Sequence, residues 1–239
     1  MKNASTTLQV SHGACEKATS EPFGQTYQVW LRLQSGQEKV VRFGQYVKMF
    51  DGKLRHQTGY DHASSINFLC MTYLLQMRPY IRLDELLITR ACQIHDIPEG
   101  LLERDIPLPF KKGHEDLEEY KAFRDAFEAL GIELWSEYHR CFLLQWALED
   151  HPDLPPDARK ILLTLRNSNQ AEALFFEGLQ KIDYLYYAVE CEKEHGINRV
   201  LQDITKQHFG RIEEISEELR GFGEVVWTTK RRLYFESYL

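Results

Sequence analysis

The chain has 239 residues and a formal charge of −7, because 36 Asp and Glu outnumber 29 Lys and Arg. Hydrophobic residues make up 43% of the chain and charged residues 27%, which is typical of a globular protein with a sizeable core and excludes a disordered chain. An acidic chain lacks the positive charge that binds a nucleic-acid backbone, so a nucleic-acid polymer is not an expected partner. No apolar run reaches the roughly 20 residues of a membrane span, so no membrane partner is expected either.

The cysteines and the N-terminal segment indicate a reduced, single-domain protein. The 5 cysteines are odd in number, far apart and never in CxxC spacing, which favours free thiols in a cytoplasmic protein over a disulfide framework or a zinc ribbon. Residues 1–25 are small and polar and lack the apolar core of a signal peptide. We therefore predict a flexible leader over residues 1–25 and one domain over residues 26–239.

Apolar spacing predicts an all-α fold with a small β element near the N-terminus. The alternation of Tyr27, Val29, Leu31 and Leu33 predicts a strand, and residues 38–50 fit either a hairpin or a helix. From Asp61 onward the apolar period is helical. Helices are expected over residues 61–77, 83–94, 117–130 and 135–146, with Gly131 as a break between the last two. A short helix is expected to begin at Pro155, and a long one to run from an N-cap at Ser168 to His195-Gly196. One or two more helices are expected in the tail.

Candidate metal ligands lie on three of these helices. His62 begins the first strongly amphipathic helix, His95-Asp96 ends the second, and Asp183 lies among apolar neighbours in the long later helix. A carboxylate in such surroundings is costly to bury without a counter-charge or a metal. Two imidazoles and two carboxylates suit Mn²⁺, Fe²⁺, Co²⁺ or Zn²⁺. The spacing alone favours ordinary partly buried histidines and a solvated Asp183 over a metal site.

Three short motifs follow His62 in a fixed order. Residues 95–99 read HDIPE (HDxxE), residues 105–111 read DIPLPFK (DxPxPxK), and residues 181–185 read KIDYL (KxDxL). Together these motifs resemble the HD superfamily of metal-dependent phosphohydrolases, in particular the branch that contains the bacterial 5′-deoxynucleotidases. The resemblance covers about residues 47–190 and implies an HD-domain helical bundle.

The resemblance also implies roles for individual residues. Carried over position by position, it gives the metal ligands His62, His95, Asp96 and Asp183, the catalytic carboxylate Glu99, and the substrate-binding residues Arg55, Asp105 and Lys111. Lys111 fits a solvated lysine beside Lys112 as well as a phosphate ligand. The implied cofactor is one divalent ion (Mn, Co, Fe, Mg or Zn), and the implied assembly is a homodimer.

The function expected from this resemblance is hydrolysis of nucleoside 5′-monophosphates to nucleoside and phosphate. Alternatives are a phosphodiesterase or pyrophosphohydrolase that acts on a signalling nucleotide, and a non-catalytic nucleotide-sensing HD protein. Val47-Lys48 stands where the deoxynucleotidases carry an Arg-Trp pair, so a preference for deoxyribose is not carried over. Some HD phosphodiesterases use two additional histidines for a second metal, but His114 and His139 lie among charged residues and are predicted at the surface.

Overall fold

The computed structural model describes residues 22–42, 57–104, 113–128, 131–196 and 199–239. The predicted all-α fold is confirmed, since these residues contain helices and no strand. Their one β-type pairing is an isolated antiparallel bridge between Val41 and Thr58. None of the described helices is long and apolar enough to cross a membrane.

Eleven α-helices and one 3-10 turn make up the described part of the fold. In chain order they are α1 (Pro22–Lys39), α2 (Gly59–Met77), α3 (Glu85–Ile94), α4 (Ile97–Leu102), α5 (Gly113–Glu128), α6 (Ile132–Leu143), the 3-10 turn (Leu144–Trp146), α7 (Pro156–Ser168), α8 (Gln170–His195), α9 (Arg199–Glu218), α10 (Phe222–Val225) and α11 (Thr229–Glu236).

The strand predicted over Tyr27 to Leu33 is wrong, because these residues lie within α1. Leu33 is buried and Val29 packs against the core, whereas Tyr27 and Leu31 remain exposed. The alternating apolar residues therefore do not share one face. Val29 and Leu33 are four residues apart, and this i, i+4 pair is the helical face.

Two glycines bring α1 into backbone contact with α4. A Cβ on Gly36 would lie 2.6 Å from the carbonyl oxygen of Gly100, and a Cβ on Gly100 would lie 2.6 Å from the backbone nitrogen of Gln37. Neither position leaves room for a side chain, so only glycine permits this approach. The contact places the chain that leaves α1 beside the short helix α4.

The helix breaks after α5 and α8 are confirmed. Gly131 and Gly196 have φ values of 104° and 86°, in the region that favours glycine. The N-cap predicted for α8 is shifted by one residue, because α7 continues through Ser168 and Asn169 takes the N-cap position. Short connections of this kind let one helix run almost directly into the next.

Helix α8 lies at the centre of the core. Most of its residues are buried, including Phe175, Leu179, Ile182 and Leu185. The four cysteines within the described ranges are buried free thiols, at positions 70, 92, 141 and 191. A polar side chain on the inner face of α8 therefore enters an apolar environment, and Asp183 is such a side chain.

Candidate metal centre

Three buried side chains converge between α2, α3 and α4. His62, His95 and Asp96 each offer one ligand atom, and these atoms all lie within 4.8 Å of one another. His62 is in the first turn of α2, which begins with a capping box formed by Thr58 and Asp61. His95 and Asp96 form the turn between α3 and α4. The sequence run HDIP thus ends one helix and begins the next, with both polar side chains buried.

Hydrogen bonds fix the tautomer of both imidazoles. His62 Nδ1 lies 2.6 Å from Asp183 Oδ2, and His95 Nδ1 lies 3.2 Å from the carbonyl oxygen of Cys92. An ionised carboxylate and a carbonyl oxygen can only accept, so each Nδ1 donates, and in the neutral imidazole that binds metal Nε2 carries the lone pair. This is the arrangement that metal-binding histidines adopt.

The two Nε2 atoms face the same carboxylate. His95 Nε2 lies 3.3 Å from Asp96 Oδ1, and His62 Nε2 lies 3.8 Å from Asp96 Oδ2. Neither Nε2 has a hydrogen-bond partner among the residues that the structure describes. Buried nitrogen lone pairs without a partner are costly, and a divalent cation beside Asp96 would satisfy both. The residues present therefore fit a metal ion.

Burial keeps His95 neutral. It lowers the pKa of His95 from 6.5 to about 4, and the nearby charge of Asp96 offsets this only in part. A neutral imidazole is the form that binds metal, so His95 is ready to act as a ligand at neutral pH.

Asp183 lies behind His62. In addition to His62 Nδ1, its carboxylate accepts hydrogen bonds from Gln57 Nε2, at 3.1 Å, and from Ser65 Oγ. Burial alone raises the pKa of Asp183, but His62 and these hydrogen bonds outweigh burial and hold the pKa below its usual value. Asp183 is an anion that orients a histidine, and its oxygens are not part of the group within 4.8 Å. Direct ligation by Asp183 stays a prediction.

Arg42 is a site residue that the sequence analysis missed. Its Nη1 forms an ion pair with Asp96 Oδ2 and lies 3.6 Å from Glu99 Oε2, while its Nη2 donates to the Tyr184 hydroxyl at 2.6 Å. The residue follows α1 at the bridge between Val41 and Thr58, and it belongs to none of the motifs. It brings Glu99 into the site, because one guanidinium serves both carboxylates.

Tyr184 packs flat against His62. The ring centroids are 5.3 Å apart at an interplanar angle of 12°, and His208 stacks on Tyr184 at 4.8 Å and 24°. Burial and the charge of Lys181 lower the pKa of His208 to about 3, so this ring is neutral. The stack holds the plane of His62 from the side of α9.

The remaining predicted residues are distributed as follows. Arg55, Asp105 and Lys111 lie outside the described residues, as do Val47 and Lys48. His114 is exposed, as predicted. The surface position predicted for His139 is wrong, because His139 lies on the buried face of α6. Its ring stacks on that of Trp135, with the ring centroids 4.2 Å apart.

Comparison with known protein families, with curated proteins and with solved structures finds no match to this chain. The site itself is a buried His–His–Asp group able to hold a divalent ion, with Arg42 and Glu99 at its edge.

Proposed function

We propose that this chain is a metal-dependent phosphohydrolase of the HD type that hydrolyses nucleoside 5′-monophosphates. The observation that carries the proposal is the convergence of two buried, unpartnered Nε2 atoms on Asp96. The resemblance of the motifs around His62, His95 and Asp183 to the HD superfamily supports the same function.

The donor set favours a transition metal. His62, His95 and Asp96 supply two nitrogens and an oxygen, which suits Mn²⁺, Fe²⁺, Co²⁺ or Zn²⁺ better than Mg²⁺, which prefers an all-oxygen shell. A divalent ion in such a site lowers the pKa of a bound water and polarises a phosphoryl group. Asp183 serves the site by keeping the proton of His62 on Nδ1.

Two side chains supply the remaining chemistry. Glu99 accepts the proton of the attacking water, the role of a carboxylate placed beside a metal but not bound to it. Arg42 donates to the phosphoryl oxygens as negative charge develops on them, because a planar guanidinium suits that geometry. The proximity of the two side chains supports this assignment, since Arg42 Nη1 lies 3.6 Å from Glu99 Oε2. Arg55, Asp105 and Lys111 complete the substrate site in this proposal.

A phosphate-release screen tests the function. Metal-stripped protein is reloaded with Mn²⁺, Co²⁺, Zn²⁺ or Mg²⁺ and offered ribo- and deoxyribonucleoside 5′-monophosphates, a phosphodiester and a pyrophosphate. We expect monophosphate cleavage that requires the metal and is lost in His95→Ala but kept in His114→Ala, whose site is exposed.

The screen also separates the alternatives. Cleavage of only the diester or the pyrophosphate would show that the protein is a phosphodiesterase or a pyrophosphohydrolase and not a nucleotidase. Nucleotide binding without any cleavage would favour a sensing protein. Because Val47-Lys48 replaces the Arg-Trp pair of the deoxynucleotidases, we expect kcat/KM for ribo- and deoxyribonucleotides to agree within about tenfold.

A further inference from the structure

One carboxylate oxygen at this site has two competing uses. Asp96 Oδ2 is ion-paired with Arg42 Nη1, and the same oxygen lies 3.8 Å from His62 Nε2. The side chains of Arg42 and Asp96 are only 6% and 8% exposed. Charges so poorly screened by water interact strongly, so a metal and the guanidinium both draw on the negative charge of Asp96.

Arg42 has other partners at the same site. Its Nη1 lies 3.6 Å from Glu99 Oε2, its Nη2 donates to the Tyr184 hydroxyl at 2.6 Å, and its guanidinium lies 5.4 Å from the centre of the Tyr184 ring. A buried arginine is tolerated only when its charge is balanced. When a cation binds Asp96, Glu99 supplies the balancing negative charge and Tyr184 supplies a hydrogen-bond acceptor.

We propose that Arg42 sets the affinity of the His62–His95–Asp96 group for divalent cations by competing with them for Asp96. The inference rests on the metal site of the proposed function but not on hydrolysis. The guanidinium neutralises part of a ligand's charge and repels a second cation nearby. Both effects weaken metal binding, so a neutral residue at position 42 tightens it.

The test measures metal affinity without any substrate. Metal-stripped protein competes with a chromophoric chelator for Mn²⁺, Co²⁺ or Zn²⁺. We expect Arg42→Gln and Arg42→Met to lower the Kd at least about tenfold, whereas Arg42→Lys, which keeps the charge, stays within about threefold of the parent protein. Arg32→Gln is the matched control, since Arg32 is an exposed arginine on α1, the helix that precedes Arg42.

A second variant changes the competition in the opposite direction without removing a charge. Tyr184→Phe keeps the ring that stacks on His62 but removes the hydroxyl that accepts from Arg42 Nη2. Arg42 then depends more on Asp96, and we expect the Kd to rise about two- to fivefold. Because this change leaves the core intact, it tests the proposal even where the Arg42 variants fail to fold. A Kd unchanged in Tyr184→Phe contradicts the competition.

The outcomes separate this inference from the proposed function. A folded Arg42→Gln with an unchanged or weaker affinity shows that Arg42 is only structural and overturns the inference, whatever the hydrolase does. Tighter metal binding in Arg42→Gln, together with a metal-loaded parent protein that releases phosphate from no nucleotide, overturns the function and leaves the inference standing. A parent protein that binds none of the three ions overturns both.

Discussion

At the scale of single residues, the site separates metal binding from proton transfer. His62, His95 and Asp96 form the group that suits a metal, whereas Glu99 faces Arg42, whose Nη1 also pairs with Asp96. Asp96 and Glu99 are three residues apart at the start of α4 and so lie on the same side of one turn. Replacement of one carboxylate should therefore affect turnover and metal content differently from replacement of the other.

Glu99→Gln should reduce kcat by about 10²- to 10⁴-fold while metal content and KM change little, because the amide keeps the shape but cannot accept the proton. Steady-state kinetics and elemental analysis measure both effects. Glu103→Gln is the control, since its side chain is 70% exposed at the end of the same helix. A raised KM with an unchanged kcat would assign Glu99 to substrate binding.

Asp183→Asn should weaken metal binding about 10- to 100-fold, the range for a group that orients a ligand. The amide is a poorer acceptor for His62 Nδ1 and presents donors to Gln57 and Ser65, which are donors themselves. Asp203→Asn, at an exposed position of α9, should bind metal as the parent does. A loss of metal affinity far beyond this range would indicate that Asp183 is a direct ligand. An unchanged affinity would show that Asp183 does not support the metal site.

At the scale of elements, local sequence predicted most helices but not the contacts between them. The spacing of apolar residues predicted α2 and α3, and the HDxxE motif identified the segment in which His95 and Asp96 form a turn. Arg42 was not predictable in this way, because its position depends on the pairing of residues 41 and 58 and on the contact between Gly36 and α4. These contacts join segments far apart in sequence, and neither leaves a periodic pattern.

The contact between α1 and α4 predicts that Gly36→Ala destabilises the fold. A Cβ there would lie 2.6 Å from a backbone oxygen that cannot move cheaply, at a cost of about 1–3 kcal/mol in the free energy of unfolding. Gly210→Ala, within α9 with nothing within 4 Å of the added Cβ, should instead stabilise the protein by up to about 1 kcal/mol. Chemical denaturation measures both changes, and equal effects at the two sites would contradict the close approach.

At the scale of the whole molecule, the fold buries neutral histidines both at the metal site and away from it. Burial holds the pKa of His95 and of His139 at about 4 and that of His208 at about 3. The apolar period of α6 explains the burial of His139, although its charged neighbours in sequence suggested the surface. All three histidines resist protonation while the chain is folded, so the free energy of unfolding should decrease as the pH falls.

The sign of that dependence follows from proton binding. An unfolded histidine takes up a proton near pH 6.5, but folded His139 does so only near pH 4. Between these values the unfolded state binds more protons, so the free energy of unfolding falls as pH decreases and is unaffected by this group above about pH 7. At pH 5 the loss from His139 amounts to about 2 kcal/mol.

His139→Phe should remove this part of the acid sensitivity. Phenylalanine does not titrate, and its ring can keep the stacking on Trp135 and the contact with Tyr120. Relative to the parent protein, the variant should therefore gain about 2 kcal/mol in the free energy of unfolding at pH 5 compared with pH 8. Urea denaturation at the two pH values measures the difference, and His114→Gln, at an exposed site, should show none. A parallel loss of stability in the parent and His139→Phe would mean that folding does not lower the pKa of His139.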